Sequence, residues 1–421
     1  MTIFPKHDYP PALLIWTVFL SIFLGGLLFS PISSNIVKMI HTFETGKVDQ
    51  TNPLPLYGFF RPEKNKPVCN DFTFGVDFGQ IYYSSKYFSN VDIYKTTKYD
   101  VFERPFCYPP ILCYLYNKTL CHFLYPQAVI LHLFLQIFLL LSASYYVLNY
   151  YRLNFMALPV TLIYFIVLFL TPVGLAWAER GQFDIYTALA ILFFMFAVYE
   201  SNAYAFILAA FFASLKPTIA PFFVQAFIVY LLIDFNHKKL LFFFLFAAVI
   251  LINLLFFPHY SILFLTAVYT IRFWSQGLTL VNRMPSIIIL FIPIISLLVY
   301  LIPLGLKAQK HISLKTFLPY ATGLVTIDIL LTPISWEYRT LCLLGFIPMA
   351  IAWFFHYCRD ILYRREFILL FLLFLFVSFH CFWFLSSAST MWSPKPEYFI
   401  ASYIAYYLAI AVISISRINT P

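Results

Sequence analysis

The feature that most constrains this chain is a series of long apolar runs with little polar alternation, such as the run at 127–148. Most runs have roughly 17–22 residues, about the length at which a helix crosses the hydrocarbon core of a bilayer. Backbone groups in lipid must be hydrogen-bonded within the protein, so these runs predict membrane-spanning helices. The sequence predicts an all-α polytopic membrane protein of about 12 spans, at 12–32, 127–148, 156–178, 185–200, 204–215, 218–235, 240–257, 285–306, 316–332, 341–357, 367–385 and 398–415.

The composition agrees with a lipid environment and argues against a nucleic-acid partner. Hydrophobic residues make up 62% of the chain and charged residues 11%, whereas a soluble domain carries about 25% charged residues. The formal net charge is +9, but the basic residues stand singly or in pairs at the ends of apolar runs, as in membrane proteins. We therefore expect membrane lipids, and no nucleic acid, as partners.

The domain organisation is predicted to be a single integral membrane domain at 1–421. The run at 12–32 is interpreted as a signal anchor, because no clear cleavage site follows it. Basic residues in the short loops favour a cytoplasmic N-terminus, which makes the polar interval 33–126 an extracytoplasmic loop. The pieces "GQIYYSSKYF" and "PPILCYLYNKTLCHFLY" in this loop predict helices that lie at the membrane interface.

Cysteine and histidine spacing gives no sign of a metal centre. The histidines, His132 among them, have no spacing that joins them into a metal site and are interpreted as packed or interfacial. No glycine-rich phosphate loop occurs, so neither a metal nor a cofactor is predicted. The loop 33–126 holds four of the seven cysteines, where one disulfide or none fits the sequence: Cys69, Cys107, Cys113 and Cys121.

Four groups of polar residues lie at or just beyond predicted spans, all on the predicted outer side. A charge at membrane depth costs about 2.5–3.5 kcal/mol on insertion scales, so each group needs an explanation. The simplest explanation is a helix-end anchor or a local ion pair, such as Glu179 with Arg180. Convergence on one side instead favours a shared site. The candidate residues are Asp77; Glu179, Arg180 and Gln182, with Asp184 beside them; Lys216; and Trp336, Glu337, Tyr338 and Arg339.

These residue types suit the transfer of a group from a phosphate. Arginine and lysine bind phosphate, and arginine can do so in a bidentate manner. A separate carboxylate could accept a proton from an attacking hydroxyl. Phosphate is already an anionic leaving group, so one base and a cationic site suffice for glycosyl transfer from a lipid phosphate. A transporter with buried ion pairs would use the same residue types.

Five motifs occur in order from about residue 75 to residue 345: "GVDFGQIYYSSKYFSNVDIY", "ERPFCYPPILCYLY", "ERGQFDIYTALAILFF", "AAFFASLKPTIAPF" and "LTPISWEYRTLCLL". As an ordered set they resemble glycosyltransferase family 87, of the C-type glycosyltransferase superfamily. The resemblance implies a C-type helical bundle, a polyprenyl-phosphate-linked sugar donor with mannose as the first candidate, and an inverting single displacement. It implies that Asp77 is the catalytic base and that the other candidate residues bind the donor phosphate and sugar.

The chain departs from the family pattern after its tryptophan. Glu337 fits the acidic position, but Tyr338 and Arg339 stand where the family has histidines, which leaves the sugar and the acceptor open. The resemblance further implies a glycolipid or glycan acceptor. It also implies a bacterial inner membrane with the site facing the periplasm, or the ER membrane in a eukaryote. A secondary transporter or lipid flippase is the alternative, although no inverted repeat is visible.

Overall fold

The computed structural model describes the central part of the chain. The described residues are 75–88, 92–96, 106–217, 220–233, 236–271, 276–277, 334–335 and 337–357, with short pieces at 20–21, 24–25, 36–37, 40–41, 44, 317–318, 321–322 and 325. Five of the predicted spans lie wholly or largely outside the described residues: 12–32, 285–306, 316–332, 367–385 and 398–415.

The described part is helical, apart from one parallel pair of two-residue strands, β1 (Gln276–Gly277) and β2 (Ile334–Ser335). A ten-residue 3₁₀ helix, Glu337–Phe346, follows β2. The α-helices are α1 (Val76–Lys86), α2 (Pro110–Lys118), α3 (Tyr125–Tyr150), α4 (Ala157–Leu170), α5 (Pro172–Arg180), α6 (Asp184–Glu200), α7 (Ala203–Leu215), α8 (Ala220–Ile233), α9 (His237–Leu255), α10 (Pro258–Ile271) and α11 (Ile347–Tyr357); short 3₁₀ turns occupy Leu120–His122 and Asn154–Met156.

Two described helices are long and apolar enough to cross a membrane. They are α3, with 26 residues and a mean hydropathy of 2.0, and α9, with 19 residues and a mean hydropathy of 2.2. The predicted span 127–148 falls within α3, and the predicted span 240–257 largely coincides with α9. The protein is therefore helical with apolar helices that could span a membrane.

The predicted span 156–178 is not one straight helix, because it is divided into α4 and α5 with a bend of 69°. Pro172 begins α5 and cannot donate a backbone hydrogen bond to the preceding turn. The hydroxyl of Thr171 donates to the carbonyl of Val167 at 2.6 Å and accepts from the backbone N–H of Gly174 at 3.3 Å. Thr171 therefore satisfies backbone groups on both sides of the break.

Helix α6 forms the centre of the described core. Its side chains from Asp184 to Val198 are buried with the single exception of Phe193, and its charged residues stand only at its two ends. It packs against α3, α7 and the 3₁₀ helix Glu337–Phe346. A helix that is apolar on all sides must be enclosed by other elements. Because α6 is held in this way, the position of Asp184 at its start is fixed relative to the rest of the core.

The loop 33–126 contains the two helices predicted there, α1 and α2. Helix α2 has one buried face, whereas the described side chains of α1 from Asp77 to Tyr82 are all buried. An interfacial helix would expose a polar face; α1 is instead enclosed by protein over its first half. Cys107, Cys113 and Cys121 are thiols with no disulfide among them, and Cys69 lies outside the described residues.

Candidate functional site

Two glycines allow α1 and α5 to meet closely. Gly75 precedes α1 with φ 73°, and Gly181 ends α5 with φ 63°, both in the left-handed region that favours glycine. A Cβ on Gly181 would lie 2.6 Å from Cβ of Phe78, and a Cβ on Gly75 would lie 2.8 Å from the hydroxyl oxygen of Tyr125. The backbone N–H of Gly75 donates to the carbonyl of Glu179 at 2.6 Å. This contact brings the first turn of α1 to the last turn of α5.

The first ion pair of the site follows from this crossing. Arg180 donates from Nε to Oδ2 of Asp77 at 2.7 Å and from Nη2 to Oδ1 at 3.2 Å, so the pair is bidentate. Both side chains are buried, with 8% of Arg180 and 2% of Asp77 exposed. Nε2 of Gln182 also donates to Oδ2 of Asp77. Both carboxylate oxygens of Asp77 are therefore already engaged in the described structure.

The second ion pair joins the start of α6 to the end of α7. Nζ of Lys216 donates to Oδ2 of Asp184 at 2.7 Å, with 7% of Lys216 and 1% of Asp184 exposed. The carboxylate of Asp184 lies in the first turn of α6, where the helix dipole favours negative charge. Lys216 also donates to Oε1 of Gln182 at 3.0 Å. Gln182 thus connects the two ion pairs, by donating to one and accepting from the other.

A second layer of polar side chains fixes the backbone at Gln182. His132 lies with its Nε2 3.3 Å from the carbonyl oxygen of Gln182, and Gln136 donates to the same oxygen at 2.9 Å. Tyr116 of α2 lies 2.7 Å from Nδ1 of His132 and 3.4 Å from the hydroxyl of Tyr186. His132 is buried as the sequence indicated, but it also supports the site. The spacing of His132 and Gln136, one helical turn apart, was the available signal.

Arg339 lies in the 3₁₀ helix Glu337–Phe346, which packs against α5 and α6. It lies close enough to Lys216 for its positive charge to act on the ammonium group. Its Nε and Nη1 atoms are buried and have no hydrogen-bond partner within the described part of the chain. The two cations therefore act on each other, and among the described residues two nitrogens of the guanidinium have no acceptor.

The carboxyl group of Glu179 also lacks hydrogen-bond partners among the described residues. The residue is 2% exposed, and both of its carboxyl oxygens are buried. The predicted local pair of Glu179 with Arg180 is not a hydrogen-bonded one: Arg180 donates to Asp77, although its positive charge still acts on Glu179. Neighbouring residues on a helix do not face each other, so the guanidinium turns toward α1.

The structure brings together residues from three of the four predicted groups, namely Asp77, Arg180, Gln182 and Lys216, and Arg339 acts on Lys216 from the fourth. Trp336 and the side chains of Glu337 and Tyr338 lie outside the described residues. No group of three or more potential ligands for a metal ion occurs among the residues that the structure describes. The arrangement can hold an anion beside Arg339 and Lys216, since charged hydrogen bonds to arginine suit phosphate and carboxylate groups.

Fold and site define a helical protein with apolar helices that could span a membrane and a buried cluster of charged side chains at their ends. Comparison of the chain with protein-family models, with curated proteins and with solved structures gave no match in any of the three.

Proposed function

We propose that this chain is a membrane glycosyltransferase that moves a sugar from a polyprenyl-phosphate carrier to a glycolipid or glycan acceptor. The observation that carries the proposal is the pair of buried guanidinium nitrogens of Arg339, Nε and Nη1, which have no hydrogen-bond partner among the described residues. The positive charge of Arg339 also acts on the ammonium group of Lys216. A buried cation without a counter-ion is unfavourable by several kcal/mol. An anionic ligand removes that cost, and a phosphate ester, like a carboxylate, can accept two parallel hydrogen bonds from a guanidinium.

The proposed reaction is a single displacement at the anomeric carbon. The hydroxyl oxygen of the acceptor forms the new bond to this carbon while its bond to the phosphate oxygen breaks. The bonding electrons leave with the phosphate, where Arg339 and Lys216 stabilise the charge. The proton of the hydroxyl passes to Asp77, which is the proposed base. The leaving group needs no protonation, and the attack inverts the configuration.

The hydrogen bonds of Asp77 set a condition on its role as the base. Both of its oxygens accept hydrogen bonds from Arg180 or Gln182, so a hydroxyl can approach only after one donor has moved. The donor phosphate offers Arg180 an alternative anion. In the proposed sequence the phosphate binds first, Arg180 turns toward it, and Asp77 becomes accessible to the acceptor.

The remaining parts of the proposal concern the whole chain. We propose about 12 spans arranged as a C-type bundle, with the site on the extracytoplasmic side. In a bacterium this is the periplasmic face of the inner membrane, and in a eukaryote it is the luminal face of the ER membrane. The first loop, 33–126, would then deliver Asp77 to the outer ends of the spans.

A secondary transporter or lipid flippase is the second candidate, and the two buried ion pairs joined by Gln182 favour it. Transporters place paired charges among apolar helices, where the pairs break and re-form during transport. Such a protein would move its substrate without cleaving any bond to phosphate, which separates the two candidates experimentally.

Membranes that contain the protein are supplied with radiolabelled polyprenyl-phosphate mannose and, in parallel, polyprenyl-phosphate arabinose, and the labelled lipids and glycans are separated. We expect transfer of one sugar by the wild type and a loss of about tenfold or more in Arg339→Gln. Arg152→Gln is the matched control, because Arg152 is exposed beyond the far end of α3. Absence of label in any product would contradict the glycosyltransferase and favour the transporter. Near-wild-type transfer by Asp77→Asn at equal expression would exclude Asp77 as the base.

A further inference from the structure

The carboxyl group of Glu179 is buried with both oxygens unpartnered among the described residues, and the displacement proposed above does not use it. Burying a polar group without a hydrogen bond costs about 1–3 kcal/mol, and more when the group is charged. Such groups are rare in folded proteins, and each needs an explanation. Glu179 is 2% exposed, and neither of its carboxyl oxygens is hydrogen-bonded within the described part of the chain.

The position of Glu179 is fixed even though its carboxyl group is not engaged. Its backbone carbonyl accepts the hydrogen bond from Gly75, and the next residue, Arg180, is held by Asp77. Helix α5, which carries Glu179, packs against the 3₁₀ helix that carries Arg339. These two contacts fix the backbone from which the side chain of Glu179 extends. A fixed backbone favours a binding role, because a binding group must be well positioned.

The unpartnered atoms of Arg339 and those of Glu179 have opposite hydrogen-bonding character. Arg339 offers hydrogen-bond donors and Glu179 offers acceptors, yet no hydrogen bond joins them. The helices that carry the two residues pack against each other, so a ligand that spans from one to the other would need an anion at one end and hydrogen-bond donors at the other. The glycosyl phosphate of the proposed donor has this combination, because its phosphate is an acceptor of hydrogen bonds and its ring hydroxyls are donors.

We propose that Glu179 binds hydroxyl groups of the donor sugar, so that it recognises the sugar while Arg339 recognises the phosphate. The assignment rests on the proposed function. A carboxyl group accepts hydrogen bonds from two neighbouring hydroxyls, and a site that is built to bind hydroxyls discriminates strongly against ligands that lack them. Glu179 is then a specificity residue for the sugar and takes no proton in the transfer.

The test measures binding of two kinds of short-chain polyprenyl phosphate to the purified full-length protein in detergent. One probe is the sugar-free phosphate, and the other is a set of the same phosphate linked to mannose, glucose, galactose or arabinofuranose. Glu179→Gln is compared with the wild type and with Glu200→Gln. Glu200 is the matched control, because it accepts hydrogen bonds from Tyr150 and Tyr151 at the opposite end of α6, about 24 Å from Asp184 at 1.5 Å per residue.

The expected result is a loss that depends on the sugar. Wild type and Glu200→Gln bind one glycosylated phosphate more tightly than the sugar-free phosphate. Glu179→Gln loses about 10- to 100-fold in affinity for that glycosylated probe and keeps its affinity for the sugar-free phosphate. Equal affinity of Glu179→Gln and wild type for the glycosylated probe overturns the role of Glu179 and leaves the phosphate site intact. Failure of the wild type to bind any of the phosphates overturns the proposed function together with this inference.

Thermal unfolding without ligand separates recognition from a structural role. Because the carboxyl group has no partner within the described structure, Glu179→Gln and Glu179→Leu are expected to unfold at the wild-type temperature or above it. Glu179→Leu also loses the affinity for the glycosylated probe. A lower unfolding temperature with equal losses for both kinds of probe would assign Glu179 a structural role and overturn the proposal.

Discussion

The ion pair between Asp77 and Arg180 makes a sharp prediction about stability. In Asp77→Asn the side chain keeps its shape but loses its charge, and its amide group can accept hydrogen bonds with only one of its two terminal atoms. Arg180 and Gln182 donate to both of the native oxygens, so in either orientation of the amide one donor faces another donor. Arg180 is left buried without a counter-charge.

The expected loss can be estimated in two ways. Two unit charges about 4 Å apart interact by about 4 kcal/mol at an effective dielectric constant of 20. Mutational data for buried pairs give about 3–5 kcal/mol when one partner is removed. The exposed pair between Asp92 and Lys95 has a similar distance of 2.9 Å, but 65% of Lys95 and 27% of Asp92 are exposed. Such pairs contribute about 0.2–1 kcal/mol.

The assay is unfolding of the purified protein in detergent micelles by added denaturing detergent, with Asp92→Asn as the matched control. We expect Asp77→Asn to lower the free energy of unfolding by about 2–4 kcal/mol more than Asp92→Asn does. The double variant Asp77→Asn with Arg180→Gln is expected to regain part of that loss. If Asp77→Asn costs no more than Asp92→Asn, the two residues are not a buried pair and the geometry of the site is wrong.

Three further predictions test other parts of the structure. Gly181→Ala should destabilise the protein by about 1–2 kcal/mol from the left-handed backbone alone, with an added clash because the new Cβ would lie 2.6 Å from Cβ of Phe78; an unfolding curve like that of the wild type would contradict this. Lys216→Met should cost about 3–5 kcal/mol, and adding Asp184→Asn should restore most of it, whereas a double variant no more stable than the single one would refute the pair. Burial raises the pKa of Cys121 to about 12, so its alkylation by iodoacetamide, followed by mass spectrometry, should accelerate about tenfold per pH unit up to pH 10; a plateau near pH 9 would show an ordinary thiol.

The apolar runs predicted the helices better than they predicted where helices break. Counting apolar residues located α3 and α9 because a helix in lipid needs a long uninterrupted apolar sequence. The same counting did not detect the break at Thr171 and Pro172. These two residues lower the mean hydropathy of the span 156–178 too little to divide it into two runs. The bend between α4 and α5 depends on one missing backbone N–H, which hydropathy does not measure.

The sequence pointed to Asp77, Arg180, Gln182 and Lys216 as neighbours, which the structure places together, but it did not predict their pairing. A charge near membrane depth indicates that a partner exists, and the sequence does not say which one. Asp77 and Arg180 are 103 positions apart, and Asp184 and Lys216 are 32 apart. The nearest carboxylate to Arg180 in the sequence is Glu179, and no hydrogen bond joins that pair. Pairing depends on the crossing of α1 and α5, which two glycines permit and no charge pattern reveals.

On the proposed function, the arrangement of charges is that of a site before its ligand binds. Two carboxylates and two cations, joined through Gln182, satisfy one another completely enough to be stable. Among the described residues, Nε and Nη1 of Arg339 and both carboxyl oxygens of Glu179 are buried without a hydrogen-bond partner. Buried polar atoms without hydrogen-bond partners cost free energy. On the proposed function, a ligand with an anion and hydroxyl groups would supply the missing partners, and the free energy recovered would contribute to binding.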